Sequence, residues 1–485
     1  MSTPLTQRPE PGTASDPAAR WREARAATRA ARGEPQPANV PRPPGPRGLD
    51  AWRQLVLTRK PPTDVFTELA RRHPRIAYLR VGPEHLYFLN HPDAVAEVYL
   101  SHARDTIKGR ALQQTRAVLG DGLLTADGEH HLRQRRLVQP AFHRNRIARY
   151  AQDMVEATLA HEAGWTEGRR VDLAVDMSAL TLDIVGRTLF GTDLRGKARE
   201  VGHALDEVLE TFPVLLLPGA ETFMRLPIRP RRRMDRATAD LDALVARMVQ
   251  EHRESGDTGD LLSMLVAARE DGVGMTDTQL RDEVVTLVLA GHETTAMLLT
   301  WTWWLLSTHP ATAGALHAEL DGVLAGAAPT VDDVARLPYT RAVVAESLRL
   351  YPPAWTLGRR LVADVEADGW LIPRGSQVLA SQWVLHRDPR FWDSALAYRP
   401  ERWLGADGAY DESAPGQPRG AWFPFGWGNR RCIGDQFALT EAVLVLATLA
   451  QRWAPETVPG HPVDVRPAVT LRPKYGMPAV LHRRA

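Results

Sequence analysis

Apolar residues recur at three- and four-residue spacing over much of the chain after residue 140. The stretches 144–159, 201–209, 234–251 and 277–306 each predict an amphipathic or buried helix. The last would start at a Thr276-x-x-Gln279 capping box and must stop before Pro310. At about 30 residues it would be ~45 Å long, and Arg281, His292 and Glu293 within it argue against a membrane span. Short alternating runs at 76–81 and 86–90, separated by Gly82-Pro83, predict a hairpin near the N-terminus. Strand-like runs return only around 362–378 and 469–481. Helices and strands therefore do not alternate as a doubly wound nucleotide-binding sheet requires, and neither a G-x-G-x-x-G nor a Walker run occurs. The expected fold is mainly α with a small discontinuous β-sheet region, without a nucleotide cofactor.

Composition narrows the picture. The hydrophobic share of 44% and charged share of 24% are those of a globular chain. A net charge of +2 gives no reason to expect nucleic acid as a partner. Four of the 60 basic residues are lysine and 56 are arginine, a bias that fits GC-rich codon usage and says little about function. Residues 1–48 are rich in Ala, Arg, Pro and Gly without an apolar run, so they read as a disordered tail with neither signal peptide nor anchor. A basic helix from Trp21 to Arg32, touching a membrane or a partner, is the alternative there. Pro43-Pro44-Gly45-Pro46 then opens onto one folded body over 49–485. A single cysteine excludes a disulfide framework and fits a reducing, cytoplasmic setting.

That cysteine, Cys432, lies in Phe425-Gly426-Trp427-Gly428-Asn429-Arg430-Arg431-Cys432-Ile433-Gly434, just before an apolar helical stretch from about 435 to 449. Backbone N–H groups and the dipole at a helix N-terminus stabilise a thiolate, the form that binds iron. Gly428 and Gly434 let backbone pass close to a flat ring, Arg430 offers a fork to a carboxylate, and Phe425 can shield the sulfur. A buried cysteine in a glycine-rich turn is the plain structural alternative.

This run resembles the haem-binding loop of the cytochrome P450 family. Three further motifs stand in the family's order, so the resemblance extends from about Pro43 to the end. It implies a cytochrome P450-like fold holding haem b, with Cys432 as axial thiolate ligand. The first motif is Glu346-Ser347-Leu348-Arg349, followed downstream by Tyr398-Arg399-Pro400-Glu401-Arg402-Trp403. An i,i+3 Glu–Arg pair alone is an ordinary helix surface feature. The resemblance implies that Glu346, Arg349 and Arg402 form a buried cluster bracing the cysteine loop. The second motif is Ala290-Gly291-His292-Glu293-Thr294-Thr295. A glycine and two threonines are poor mid-helix material and predict a local distortion. The resemblance makes that distortion an oxygen-binding groove in which Thr294 holds dioxygen and Glu293 relays protons. The third is Asp127 to Arg136, in which His131 and Arg135 share one helix face. They match positions from which the family grips a haem propionate, with His where many members have Trp. Arg359, rather than Arg360, is expected at the other propionate. His386 is expected to pack or to sit on the propionate side rather than to ligate iron. For Arg133, Arg136 and Arg144 a solvated face and a docking site for an acidic redox partner stay open.

The function so implied is a monooxygenase that hydroxylates a mostly apolar small molecule such as a terpenoid. Electrons would come from NAD(P)H through a separate ferredoxin and ferredoxin reductase, since the 53 residues after Cys432 leave no room for a fused flavin domain. The enzyme would act as a monomer. Its pocket would be lined by 108–125, 212–226, 289–294, 353–358 and 474–477. A peroxide-driven or isomerising haem-thiolate enzyme, which has no need of Glu293 and Thr294, is the rival among enzymes. A haem-based sensor is the rival of another class.

Overall fold

The computed structural model describes residues 17–32, 40–46, 60–191, 229–256, 259–270, 272–414, 416–418 and 420–484. The expected helix at 201–209 and pocket stretch at 212–226 lie outside the described residues. The first element departs from the expected tail, because Pro17–Arg32 form a helix (α1). Trp21, Ala24 and Thr28 share one face of it and are buried against the helix Arg110–Leu119. A single aromatic on an Ala-rich face is enough to hold the helix to the body, and composition alone hides such a face.

After α2 (Pro62–Arg72), β1 (Ile76–Val81) and β2 (Glu84–Leu89) form an antiparallel hairpin in register from Ile76–Leu89 to Val81–Glu84. Gly82, at φ +59°, supplies its left-handed turn residue. The sheet is completed from far along the chain by β3 (Thr106–Lys108), β4 (Leu357–Leu361) and β5 (Gln377–Ala380), in the order β1-β2-β5-β4-β3. Only β2 and β5 run parallel within it. Besides one three-stranded and three two-stranded sheets, the described remainder is mostly helical, with α3 (Arg110–Leu119), α4 (Gly128–Val138), α5 (Arg144–Glu162), α6 (Leu173–Phe190), α7 (Arg229–Ser255), α8 (Asp277–Thr308), α9 (Pro310–Leu324), α10 (Pro338–Leu350) and α11 (Asp435–Ala450) as its main helices.

The axis of the body is α8. Its capping box is made, with Gln279 N–H on the Thr276 hydroxyl at 3.2 Å and Thr276 N–H on Gln279 Oε1 at 2.9 Å. Its 32 residues span about 48 Å and end one residue before His309-Pro310. It is long and apolar enough to cross a membrane, but 83% of its apolar window is buried inside the protein. Packing against α6 is close: a Cβ on Gly291 would stand 3.0 Å from Val185, and the Thr181 hydroxyl donates to the His292 carbonyl at 3.0 Å. The loop 120–123 lies flat on the first turns of α8. Asp121 N–H donates to Asp282 at 2.7 Å and Leu123 N–H to Glu283 at 3.0 Å, while a Cβ on Gly122 would collide with the Asp282 carbonyl at 2.5 Å.

Burial pushes the Glu283 carboxyl up from 4.5 to about 8. Between those values the folded state keeps a proton that the unfolded chain releases. Stability therefore falls as pH rises through this window, by at most about 1.4 kcal/mol per pH unit. Glu283→Gln keeps an acceptor for Leu123 and cannot ionise. We expect its melting temperature to exceed that of the wild type at pH 8.5 and to match it at pH 5, and parallel melting curves across that range would contradict the assignment.

Candidate functional site

A carboxylate with no exposed surface organises the segment that carries Cys432. Glu346, on α10, faces Arg349 one turn on, and the two form a bidentate pair with both bonds at 2.8 Å. Arg402 Nε adds a bond at 3.0 Å, Arg399 N–H one at 2.9 Å and Trp403 Nε1 one at 2.9 Å. The structure thus brings Glu346, Arg349 and Arg402 together. Arg349 also donates to the carbonyls of His386 at 2.7 Å, Ala395 at 2.6 Å and Ala397 at 3.0 Å. His386 in turn accepts from Phe423 N–H at 3.1 Å, and burial followed by the nearby Arg349 charge pushes its pKa down to about 3, so the ring is neutral. Gly426 N–H then bonds the Phe423 carbonyl, and Cys432 N–H bonds the Phe425 carbonyl at 2.9 Å. A continuous path of hydrogen bonds and short chain links runs from the Glu346 hub to the cysteine.

The cysteine loop folds as its glycines require. Gly428 sits at φ +67°, and a Cβ there would lie 2.5 Å from the Tyr99 carbonyl. Its demand is backbone crowding against Tyr99, while a Cβ on Gly434 would meet only the Phe142 ring, at 3.4 Å. The Phe425 ring packs at the margin of the main core. Cys432 is surrounded deeply enough for burial to push its thiol pKa up, yet its surface is accessible. It therefore borders an internal space. Gly434 N–H, Arg135 and Arg431 pull its pKa the other way without prevailing. A coordinated metal ion would deprotonate the thiol.

Five cationic or basic side chains gather beside that loop. Lys108 and Arg359 are direct partners across β3 and β4, so their side chains leave the sheet on one face. Arg360 falls on the other face, where it pairs with Glu84 at 3.1 Å. Lys108 is buried, and its pKa is lowered by burial and then by Arg359 and Arg430. Arg359 has no carboxylate partner among the described residues and lies 5.3 Å from the Tyr99 ring. His131 is pushed down to about 3 by burial and then by Arg430, Lys108, Arg135 and Arg359. Arg430 donates to the Ala126 carbonyl at 2.6 Å and to Asp127 at 2.9 Å, and Arg135 donates to the Arg431 carbonyl at 2.9 Å. Asp127 is the carboxylate facing this group, and it also accepts from Lys108 N–H. The cluster retains an excess of positive charge, which suits a buried group carrying two carboxylates. The residues present fit a haem, with Cys432 for its iron and Lys108, His131, Arg359 and Arg430 for its propionates.

On α8, Ala290, Gly291 and Thr294 carry accessible surface in a helix that is otherwise buried there. The helix runs unbroken through them. Its Gly-Thr-Thr run is explained by the contact of Gly291 with Val185 and by threonine hydroxyls bonding back to the preceding turn. Thr294 donates to the Ala290 carbonyl at 2.7 Å and Thr295 to the Gly291 carbonyl at 3.3 Å. The Glu293 carboxylate is buried and accepts from the Thr470 hydroxyl at 2.7 Å and Arg472 Nε at 2.6 Å, so it ties α8 to the C-terminal strand Leu471–Pro473. Adjacent helix residues point about 100° apart, which is why Glu293 and Thr294 face different surroundings.

Among the expected pocket residues, Trp355 belongs to the core around Phe66 and donates to the Ala468 carbonyl at 3.0 Å, and Tyr475 is exposed. Sequence reasoning passed over Lys108 as a site residue, because its meaning depends on strand register. It also missed Glu441 on α11, a wholly buried carboxyl whose pKa burial raises well above the usual range, with the Thr295 hydroxyl beside it. A lone acid in an apolar helix is the signal that marks it.

The sequence matches the family Cytochrome P450 over residues 43–478. It is 41% identical to cyclooctatin synthase of Streptomyces melanosporofaciens over 88% of this chain and 92% of that one. It is 40% identical to cyclooctat-9-en-7-ol 5-monooxygenase of the same organism, over 84% and 87%, and 36% identical to pentalenene oxygenase of Streptomyces avermitilis, over 86% and 90%. The crystal structure of the cytochrome P450DA heme domain superposes with a TM-score of 0.79 at 29% identity, covering 92% of this chain and 98% of that one. With a haem-thiolate family matched across nearly the whole described body, the chain belongs to the cytochrome P450 family and is a P450 monooxygenase.

Proposed function

We propose that this enzyme hydroxylates a cyclic terpenoid at a haem b held by Cys432, with electrons from NAD(P)H delivered by a separate ferredoxin and ferredoxin reductase in the cytoplasm. The observation that carries the cofactor assignment is the cationic cluster of Lys108, His131, Arg359 and Arg430 beside an accessible Cys432. The substrate class rests on relatives whose names specify cyclooctat-9-en-7-ol and pentalenene. When bound, the haem supplies oxygen activation and insertion into an unactivated C–H bond.

The chain's own residues set the conditions. Cys432 presents sulfur at the end of the path anchored on Glu346. Thr294 gives its only hydroxyl proton to the Ala290 carbonyl, so its oxygen is left as an acceptor toward the accessible side of α8. There it can hold a water or a proton-bearing group in one orientation. Thr294 is the catalytic residue of this reading. Glu293 is a positioning residue, fixing the rotation of α8 through Arg472 and Thr470. The apolar flank of α8, Leu287 to Leu289, excludes water from the same region.

Four variants test this reading. The reduced protein under carbon monoxide should show the red-shifted Soret band of thiolate-ligated haem, and Cys432→His should lose it; a thiolate spectrum surviving in that variant would remove the cofactor assignment. Glu346→Ala leaves Arg349 buried without its carboxylate, at a cost of ~3–5 kcal/mol, and should yield mostly haem-free protein of lower melting temperature. Wild-type haem content in that variant would show that the cluster does not brace the loop. Thr294→Ala should retain haem, the carbon-monoxide spectrum and substrate affinity, while NAD(P)H oxidation yields more hydrogen peroxide and less product. Glu293→Gln should instead lower thermal stability, because the ion pair between α8 and Arg472 is lost. Equal coupling of electrons to product in Thr294→Ala and wild type would exclude Thr294 as the catalytic residue.

A further inference from the structure

α1 lies wholly before the region that matches the family, which starts at residue 43. Its buried face nevertheless belongs to the same apolar core as α3, α7 and α8: Trp21 and Ala24 share a cluster with Ala117, Val118, Leu119, Met234, Leu241 and Val245. Polar contacts repeat the connection. Arg231 of α7 lies over the Trp21 ring at 5.2 Å, and Arg20 pairs with Asp242 of α7 at 3.3 Å. Asp242 also binds Arg281 of α8 at 2.5 Å. Arg281 donates to the Val118 carbonyl at 2.8 Å and to Asp282 at 2.9 Å, and Asp282 accepts from Asp121 N–H. One ionic path thus leads from α1 through α7 and α8 to both the C-terminal end of α3 and the loop after it.

The other end of α3 adjoins the cofactor site. Lys108 precedes it by two residues, and Gly109 N–H donates to the Gly358 carbonyl at 3.3 Å, beside Arg359. α3 is therefore the wall between the cationic cluster and the first turns of α8, and α1 braces its outer side. We propose that α1 is a specificity-determining brace: by seating Trp21 on α3 and Arg20 on Asp242 it sets the position of the α3 wall, and so the size of ligand that the pocket holds. Trp21 and Arg20 are positioning residues, outside the haem contacts. The proposal rests on the haem-site reading for its optical test and on the packing alone for its exchange test.

The probes are imidazole and clotrimazole, a small and a bulky azole, titrated optically into the full-length holoenzyme. Trp21→Ala should leave haem content and imidazole affinity unchanged and weaken clotrimazole by about five- to a hundredfold, the usual range of coupling between sites. Trp21→Phe, which keeps an aromatic ring on α3, should restore clotrimazole affinity. Arg20→Glu, which opposes Asp242, should act in the same direction as Trp21→Ala and supplies the test should Trp21→Ala not fold. In hydrogen exchange, peptides covering 110–119 should lose protection in Trp21→Ala while those covering α11 keep theirs. Equal responses of both azoles in a folded variant, or unchanged exchange over 110–119, would overturn the proposal. Absence of any azole shift in the wild type would instead overturn the haem assignment and leave the exchange result to decide the role of α1.

Discussion

Glu346 accepts five hydrogen bonds inside a region from which water is excluded, two from Arg349 and one each from Arg399 N–H, Arg402 and Trp403. A buried ionised carboxylate is tolerated only when it is paired and its lone pairs are filled, and here both conditions are met. The consequence reaches well beyond the ion pair. The segment from His386 to Cys432 has little regular secondary structure, so its backbone groups need partners from elsewhere. Arg349 answers three of its carbonyls, His386 answers the Phe423 N–H, and Phe425 answers Cys432. A loop without strands or long helices is thereby given the rigidity needed to present one sulfur atom.

The opposite constraint acts on the loop from its other side. Burial lowers the pKa of Lys108, His131, Arg359 and Arg430, Arg359 lowers those of the other three further, and Asp127 answers only part of that charge. The sheet and α4 supply these groups from segments far apart in the chain, so their convergence is a property of the fold. A ligand with two carboxylates relieves the repulsion and stabilises the folded state in proportion to its affinity. Retention of the cofactor and integrity of the fold are consequently one equilibrium in this protein. The Glu346 hub and the cation cluster hold the same loop at different points, through Phe423 and through Arg430.

What was legible in the sequence had short spacing. Glu346 with Arg349, His131 with Arg135, and the run around Cys432 each lie within one or two helical turns or one loop, so residue order alone places them. The capping box at Thr276 and the stop before Pro310 were legible for the same reason. Lys108 was not, because it becomes a neighbour of Arg359 only through the register of β3 on β4. The choice between Arg359 and Arg360 likewise depends on which face of β4 each occupies. α1 was read as tail, with a basic helix from Trp21 to Arg32 as the alternative, because its composition is Ala- and Arg-rich and its one aromatic, Trp21, gains meaning only against α3. The reason for Gly291 was hidden too, because the glycine admits a helix contact with Val185, a constraint that lies on α6.

The separate fates of Glu293 and Thr294 show how α8 is aimed. A helix of 32 residues is free to rotate about its axis unless contacts on several faces oppose that motion. Glu293 fixes one face through Arg472 and Thr470, and Gly291 fixes another by admitting Val185 to 3.0 Å. At its N-terminal end Asp282 and Glu283 hold the loop 120–123 by two backbone N–H groups. With these contacts made, Ala290 and Thr294 keep accessible surface, and the back-bond of Thr294 to Ala290 sets the rotamer of its hydroxyl. A proton acceptor placed by so many indirect contacts owes its position to the whole helix bundle. It follows that substitutions at Val185, Thr470 or Arg472 act on the same geometry as substitution of Thr294 itself.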